Sequence, residues 1–308
     1  MILCCGEALI DMIPAPTAAG ADGFVPHCGG AVYNTAVALG RLGVQTGMLT
    51  GLSSDMFGQQ LSAGLKASHV DVSHAITSER PTTLAFVRLV DGHATYDFYD
   101  ESSAGRMIRP ADMPELSAEV TALCFGGISL ACEPGADAYA DLLSQSAGGR
   151  AVMLDPNIRP GFIQDIGKYR ARLDQMVALS DIVKVSDEDL NWIMPDPLSL
   201  QEKVDRLLAK GPSVVILTRG GEGATGFLAA GGEVHVPALK TRIIDTVGAG
   251  DTFNAGVLAK LSELGLLHKG GLAQVPEAGL QDALTHGARV AAITVSRAGA
   301  NPPWAGEL

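Results

Sequence analysis

Basic side chains are scarce in this chain of 308 residues, where 22 lysines and arginines stand against 34 aspartates and glutamates, a formal charge of -12. Such an excess repels nucleic-acid backbones and anionic lipid at a distance, so neither nucleic acid nor membrane is an expected partner. A small anionic ligand stays open, because a few local donors or a metal outweigh a screened global field. Cysteine is thin as well. Cys4, Cys5, Cys28, Cys124 and Cys132 form an odd, scattered set without the CxxC pairs of a zinc site. Buried thiols in a reducing compartment are the expectation. No run approaches the roughly 18 apolar residues of a membrane helix. The opening text MILCCGEALIDMIPAP lacks a basic head and carries Glu7 and Asp11 inside its apolar stretch, unlike a secretion signal. A cytoplasmic location is therefore expected. A GxxxxGK[ST] phosphate loop, internal repeats and low-complexity tracts are also missing.

Hydrophobic residues make up 47% of the chain, enough apolar surface to offset the entropy of ordering it. Short apolar runs recur as candidate buried strands: ILCCG at the start, TGMLTG from Thr46, LCFGG from Leu123, AVMLD from Ala151, DIVKV from Asp181 and VVILT from Val214. Between them, 31–42, 136–146, 168–179 and 200–208 carry helical spacing. The alternation predicts an α/β fold with a mostly parallel central sheet covered by helices on both faces, built as one unit over 1–308. One stretch departs from the rhythm. TTLAFVRLVDGHATYDFY, from Thr82, alternates like a hairpin around Asp91 and Gly92, a pair suited to a tight turn. With the Pro-containing segment 12–25, the segment 82–108 predicts a small β-sheet lid projecting from the body, able to cover a cleft or pair with a second subunit.

The chemistry concentrates in DTVGAGDTFNAG, which begins at Asp245 and runs into helical text. Gly248, Ala249 and Gly250 leave room for backbone N–H groups to converge on an anion at a helix N-terminus. Asp251 falls in the first turn, where a carboxylate can take a proton from a hydroxyl nucleophile. Read alone, the same residues serve equally as a helix cap and a turn. A GxGxxG at Gly221, Gly223 and Gly226 mimics a dinucleotide fingerprint, but turn-rich, β-like text follows it where that fold needs a helix.

DTVGAGDTFNAGVL resembles the C-terminal signature of the PfkB, or ribokinase-like, carbohydrate kinases, and GGAVYNTAVALGRLG, from Gly29, resembles their N-terminal signature. GEALID, DPNIRP, KVSDEDL, TRGGEG and TVSRAGA extend the likeness over nearly the whole chain. The resemblance implies a ribokinase-like fold and transfer of the γ-phosphoryl of ATP to a primary hydroxyl, with Asp251 as base and the loop of Gly248, Ala249 and Gly250 holding the migrating group. It implies sugar contacts at Asp11, Gly29, Gly30, Asn34 and Arg159, and nucleotide contacts at Lys184, Ser186, Thr218, Gly220 and Gly223. Magnesium is implied near Glu188 and Asp189, through water, although SDED stands where the family has NxxE. A monovalent cation, potassium, is implied for some relatives at Asp245, Val247 and Gly299, with Pro303 standing near where a hydroxyl is usual. GEALIDMIP, DFYDESSAGRMI and KVSDEDL are most similar to bacterial fructokinases, so fructose is the expected acceptor, with Phe98 and Arg106 of the lid closing over it. Ketodeoxygluconate, ribose and nucleosides remain as alternatives, as does a silent sugar-binding relative. The lid sheet makes a homodimer the expected assembly.

Overall fold

A computed structural model of the chain describes residues 1–90 and 93–308. The chain opens with β1 (Ile2–Cys5), leaves for β2 (Leu9–Pro16) and β3 (Asp22–Gly29), and returns in α1 (Ala31–Arg41). Next come β4 (Thr46–Leu49), β5 (Gly51–Ser53), α2 (Met56–Ala67), β6 (Val70–Asp71) and β7 (Ile76–Ser78), then a second excursion in β8 (Leu84–Val90) and β9 (His93–Tyr99). A regular alternation follows through β10 (Ala122–Gly126), α3 (Gly135–Ser146), β11 (Ala151–Asp155), α4 (Ile166–Leu179), β12 (Ile182–Ser186), α5 (Asp187–Ile193), α6 (Leu200–Leu208) and β13 (Val214–Thr218). The hairpin of β14 (Ala224–Leu228) and β15 (Glu233–Val236) precedes α7 (Ala249–Glu263), α8 (Lys269–Ala273) and α9 (Glu277–Val295).

The main sheet has the order β15-β14-β13-β12-β11-β10-β1-β4-β6. Its strands are parallel from β13 to β6, and the pairings of β14 with β13 and with β15 are antiparallel. Successive side chains of a strand face opposite sides. Accordingly Ile2 and Cys4 pack with Leu39, Leu61, Leu258 and Leu284 of α1, α2, α7 and α9, while Leu3 and Cys5 pack with Leu142, Leu173, Leu190 and Leu207 of α3 to α6. The expected sheet with helices on both faces is thus observed. All five cysteines are free, even though Cys4 and Cys124 are register partners on β1 and β10.

β1 lies between β4, which follows it closely in the chain, and β10, from which the sheet grows the other way. Such a reversal of strand order opens a crevice at the carboxyl ends of the two central strands. Over this crevice stands a second sheet, β3-β2-β8-β9. It starts earlier than expected: β2 begins at the buried Leu9 and Ile10, so Asp11 and Gly29 belong to the sheet itself. The expected turn at Asp91 and Gly92 lies outside the described residues. Beyond Tyr99 the strand ends, and the chain from Asp100 to Arg106 is held by turn bonds and by the Arg106–Asp100 side-chain pair.

Helices α7 and α9 approach closely because two glycines meet there. A methyl at Gly256 would lie 2.7 Å from Gly287 Cα, and one at Gly287 would lie 2.9 Å from the Phe253 carbonyl oxygen. The last glycine of the DTFNAG text is therefore a packing residue. We predict that Gly256→Leu overpacks this crossing and costs about 1–3 kcal/mol of unfolding free energy. Urea denaturation with an unchanged midpoint would refute that reading.

Candidate functional site

At the start of α7, Gly248 occupies the N-cap with φ +77°. The left-handed turn suits glycine, and a side chain there would also strike Ala300, whose Cβ lies 2.6 Å from where a methyl would stand. Past this turn the amides of Gly250 and Asp251 donate to no acceptor among the described residues. Free N–H groups at the positive end of a 15-residue helix form a ready anion cradle.

Asp251 follows in the first turn and is buried. Its Oδ2 accepts a hydrogen bond from Asn34 Nδ2 at 2.9 Å, and its carbonyl accepts one from Thr35 Oγ1 at 3.1 Å, so α1 grips the start of α7. Burial pushes the Asp251 carboxyl up to about 7, with the negative charges of Asp155 and Glu7 acting the same way and the Asn34 bond and Lys184 opposing.

Lys184, on β12, reaches beneath this loop: its Nζ is 3.3 Å from where a methyl on Gly250 would be. Asp155, at the end of β11, accepts from Lys184 Nζ at 3.0 Å and from Asn254 Nδ2 at 2.7 Å on the same oxygen. Burial lowers the lysine's proton affinity, but Asp155, Asp189 and Asp251 outweigh it and hold the ammonium above its usual range. A permanent cation therefore stands beside the amide cradle.

The crevice end is set by Glu7, an acid in an apolar stretch of the sequence just after β1. Glu7 Oε1 accepts from the amide of Ala31 at 2.9 Å and Oε2 from that of Ser129 at 3.3 Å, fastening α1 to the turn after β10. A side chain at Gly127, φ +70°, would collide with this carboxylate. An acid directly after the first strand of a parallel sheet was the available signal. Asn157, φ +41°, was missed too; its amide donates to Asp155 Oδ1 at 3.1 Å, and it lines the cleft.

Together these groups enclose a cleft of about 340 Å³, lined by Asp11, Gly30, Asn34, Phe98, Arg159 and Lys184 as well as Glu7 and the loop 248–251. The Asp11 carboxylate has no hydrogen-bond partner among the described residues, and burial raises it to about 6. Gly29 lies behind it, where any side chain would run into Asp11 Oδ2. Arg159 is exposed at the rim.

Other expected residues fall outside this lining. Arg106 is tied to both oxygens of Asp100, at 3.0 and 2.9 Å, and to the Glu133 carbonyl at 3.1 Å, in a neighbouring pocket. Ser186 and Thr218 are register partners at the ends of β12 and β13, with Gly220 and Gly223 in the turn beyond. Ser186 Oγ caps α5 by accepting the Asp189 amide at 2.9 Å. Asp189 in turn accepts from the amides of Ile158, at 2.9 Å, and Ser186, at 3.3 Å. Both of its oxygens thus hold backbone, and of the two carboxylates expected near magnesium only Glu188 is exposed. Asp245 accepts from the amides of Val247 at 3.0 Å and Gly299 at 2.9 Å, joining the two loops expected around a monovalent cation.

A free-amide cradle, a fixed cation and a carboxylate near neutrality can together move a proton and steady a migrating anion. Comparison with known proteins identifies the arrangement. The family model for pfkB family carbohydrate kinases matches residues 1–305. The chain belongs to that family. It is 50% identical over 286 residues to a fructokinase of Rhizobium leguminosarum bv. trifolii, 92% of this chain and 86% of the relative. Among solved structures, fructokinase with bound ATP from Xylella fastidiosa superposes with a TM-score of 0.87 at 27% identity, over 97% of this chain and 93% of that one. The Vibrio cholerae O395 fructokinase in its fructose, ADP and calcium bound form gives 0.81 at 25% identity, over 97% and 94%. The expected ribokinase-like architecture and carbohydrate-kinase chemistry are therefore those of this chain.

For a pfkB kinase the ionisation of Asp251 decides when it can accept a proton. We predict that carboxyl ¹³C NMR finds Asp251 titrating near 7, and that Asn34→Ala moves the transition to higher pH, because the lost N–H stabilised the ionised form. A downward shift would show that Asn34 does not govern this carboxylate.

Proposed function

We propose that this pfkB kinase transfers the γ-phosphoryl group of ATP to the 6-hydroxyl of fructose. The observation that carries the proposal is the buried Asp251 in the first turn of α7, beside unengaged amides and the cation of Lys184. Asp251 takes the hydroxyl proton as the sugar oxygen bonds to phosphorus and the bond to ADP breaks. The amides of loop 248–251 and the Lys184 ammonium stabilise charge on the transferring group. Asp11 accepts from sugar hydroxyls, Asn34 donates to one while holding Asp251, and Gly29 and Gly30 let the ring approach the backbone. Arg159 closes the rim.

Fructose is supported over an acid sugar by charge. Glu7 and Asp11 make this end of the cleft acidic, and the Arg106 guanidinium is cancelled by Asp100, so Arg106 serves to hold the lid behind Phe98. The likeness to the Rhizobium and Vibrio fructokinases supports the same choice. Ser186, Thr218, Gly220 and Gly223 are proposed to receive the nucleotide at the carboxyl ends of β12 and β13, where open α/β sheets bind ligands.

Magnesium is the proposed divalent ion. Among the described residues no cluster of three metal-ligating side chains occurs, which fits an ion held mainly by phosphates and water with one supporting carboxylate, Glu188. Such an ion would neutralise charge on the β and γ phosphates. A potassium ion beside Asp245, Val247 and Gly299 belongs to the same proposal, supported by the meeting of their two loops. Two further parts concern the whole molecule. On the face of the lid sheet turned away from Asp11, Phe24 and Tyr99 are exposed on either side of Phe86, an apolar patch suited to a second copy of the chain. No described helix is long and apolar enough to cross a membrane, and the unpaired cysteines agree with a reducing cytoplasm.

An ADP-release assay across fructose, ketodeoxygluconate, ribose and nucleosides is expected to show the highest kcat/KM for fructose; preference for an acid sugar would overturn the charge argument. Asp251→Asn is expected to lower kcat by about 10²- to 10⁴-fold with ATP affinity nearly unchanged. Retained turnover would remove Asp251 as the base. For the assembly, light scattering is expected to find a dimer that Phe24→Asp converts to monomers, and a monomeric parent would refute the lid interface.

A further inference from the structure

We infer that Arg41, at the far end of α1 from the cleft, is a positioning residue that holds a carboxy-terminal strap against the back of the loop 245–251. The inference rests on the reading that this loop carries out phosphoryl transfer.

Residues 296–308 follow α9 and pass directly behind that loop. Asp245 accepts the Gly299 amide at 2.9 Å, and Ile244 donates its amide to the Val295 carbonyl at 2.8 Å. Ala300 occupies the space that a side chain on Gly248 would need, with its Cβ 2.6 Å from that point. Gly248 caps α7, so the place of Ala300 bears on the direction of the amides that follow. A short bond from the Asn301 amide to the Gly299 carbonyl, 2.8 Å, makes this part of the strap a tight turn.

What fixes the turn from outside is Arg41. Its Nη1 donates to Asn301 Oδ1 at 2.7 Å and to the Pro302 carbonyl at 2.9 Å, and its Nε donates to Ser68 Oγ at 3.3 Å. The guanidinium also lies over the Trp304 ring, 5.3 Å from its centre, and Trp304 packs edge-on to His69 at 5.4 Å. A planar guanidinium can lie over an aromatic face while its in-plane N–H groups serve several acceptors in fixed directions. Arg41 therefore gathers three successive parts of the strap, Asn301, Pro302 and Trp304, into one place.

Arg41 and Asn34 are seven residues apart, about two turns of α1, and so share one face of that helix. One end of this face bonds Asp251 directly through Asn34. The other reaches the same loop indirectly, through the strap. A single helix thus sets both the carboxylate and the backing of the cradle. A displacement of about 1 Å in such a constellation can cost on the order of 10² in rate.

The test compares Arg41→Met, which keeps the stem and removes every donor, with wild type in steady-state kinetics and amide hydrogen exchange. The expected result is a kcat about tenfold lower or less, a sugar KM within about twofold of wild type, and faster exchange at 246–252 with the central strands unchanged. Trp304→Ala is expected to give the same pattern more weakly, and it decides the matter if Arg41→Met yields no folded protein. Unchanged exchange at 246–252 overturns the inference. So does exchange that rises evenly through the sheet, which would make Arg41 a fastener of the chain end alone. Exchange does not depend on turnover, so a wild-type protein inactive on every sugar would overturn the kinase reading while exchange still decided the inference.

Discussion

A carboxylate buried at the start of α7 is the constraint around which the site is arranged. Taking such a group out of water costs several kcal/mol unless donors meet it, and the usual outcome is a rise in its proton affinity. Asp251 shows both responses: one oxygen is met by Asn34, and the carboxyl rises to about 7. The sign of the linked stability follows. Because the folded state holds the proton more tightly than the usual 3.8 of the unfolded chain, this group's contribution favours folding at low pH and is lost as pH rises through about 7. The molecule gives up stability at the pH where the carboxylate becomes able to accept a proton.

The rest of the fold supplies what that carboxylate needs from three directions. The reversal of strand order at β1 and β10 opens the crevice, and Glu7 fixes its edge by taking the amides of Ala31 and Ser129. From the next strands, Asp155 and Asn254 hold Lys184 in place, so the cation faces Gly250 without competing for the Asp251 oxygen that Asn34 occupies. Glycine is required where these elements touch. Gly127 makes room for Glu7, Gly29 for Asp11, and Gly256 for the crossing of α9 on α7. Each of these is a contact between distant parts of the chain, which is why no local turn rule accounts for it.

That distinction also explains what could be read from the sequence. Strands β1, β4, β10, β11, β12 and β13 were legible because a strand buried on both faces writes a continuous apolar run, and α6 was legible to its ends because a Ser199–Glu202 capping box bounds it. The place of Gly248, Ala249, Gly250 and Asp251 at a helix start was legible as well, from small residues before an acid with helical text after them. Asn34 was anticipated as a sugar contact, but its bond to Asp251 spans 217 positions and leaves no mark in local text. Asp189 stands where the family resemblance implies magnesium, and only the fold reveals that its oxygens accept from the amides of Ile158 and Ser186. Arg41 drew no attention, because its partners lie about 260 positions away.

Two carboxylates in one cleft can do different work only if their surroundings differ. Asp11 and Asp251 are both raised by burial, to about 6 and about 7, so proton affinity alone does not separate them. Their partners do. Asp11 has none among the described residues and stands on β2 of the second sheet, facing the cleft. Asp251 is bonded to α1, set in a helix, and flanked by a fixed ammonium whose charge favours its ionised form. In the proposed reaction, the negative charge of a phosphoryl group at the amides of that helix would oppose ionisation, and the Lys184 ammonium would offset it at short range. The carboxylate thereby stays near the pH at which a base is both deprotonated and strong enough to draw a hydroxyl proton. In the proposed kinase the acceptor's binder belongs to the sheet β3-β2-β8-β9 and its base to α7, so hydroxyl and base meet where that sheet stands over the crevice.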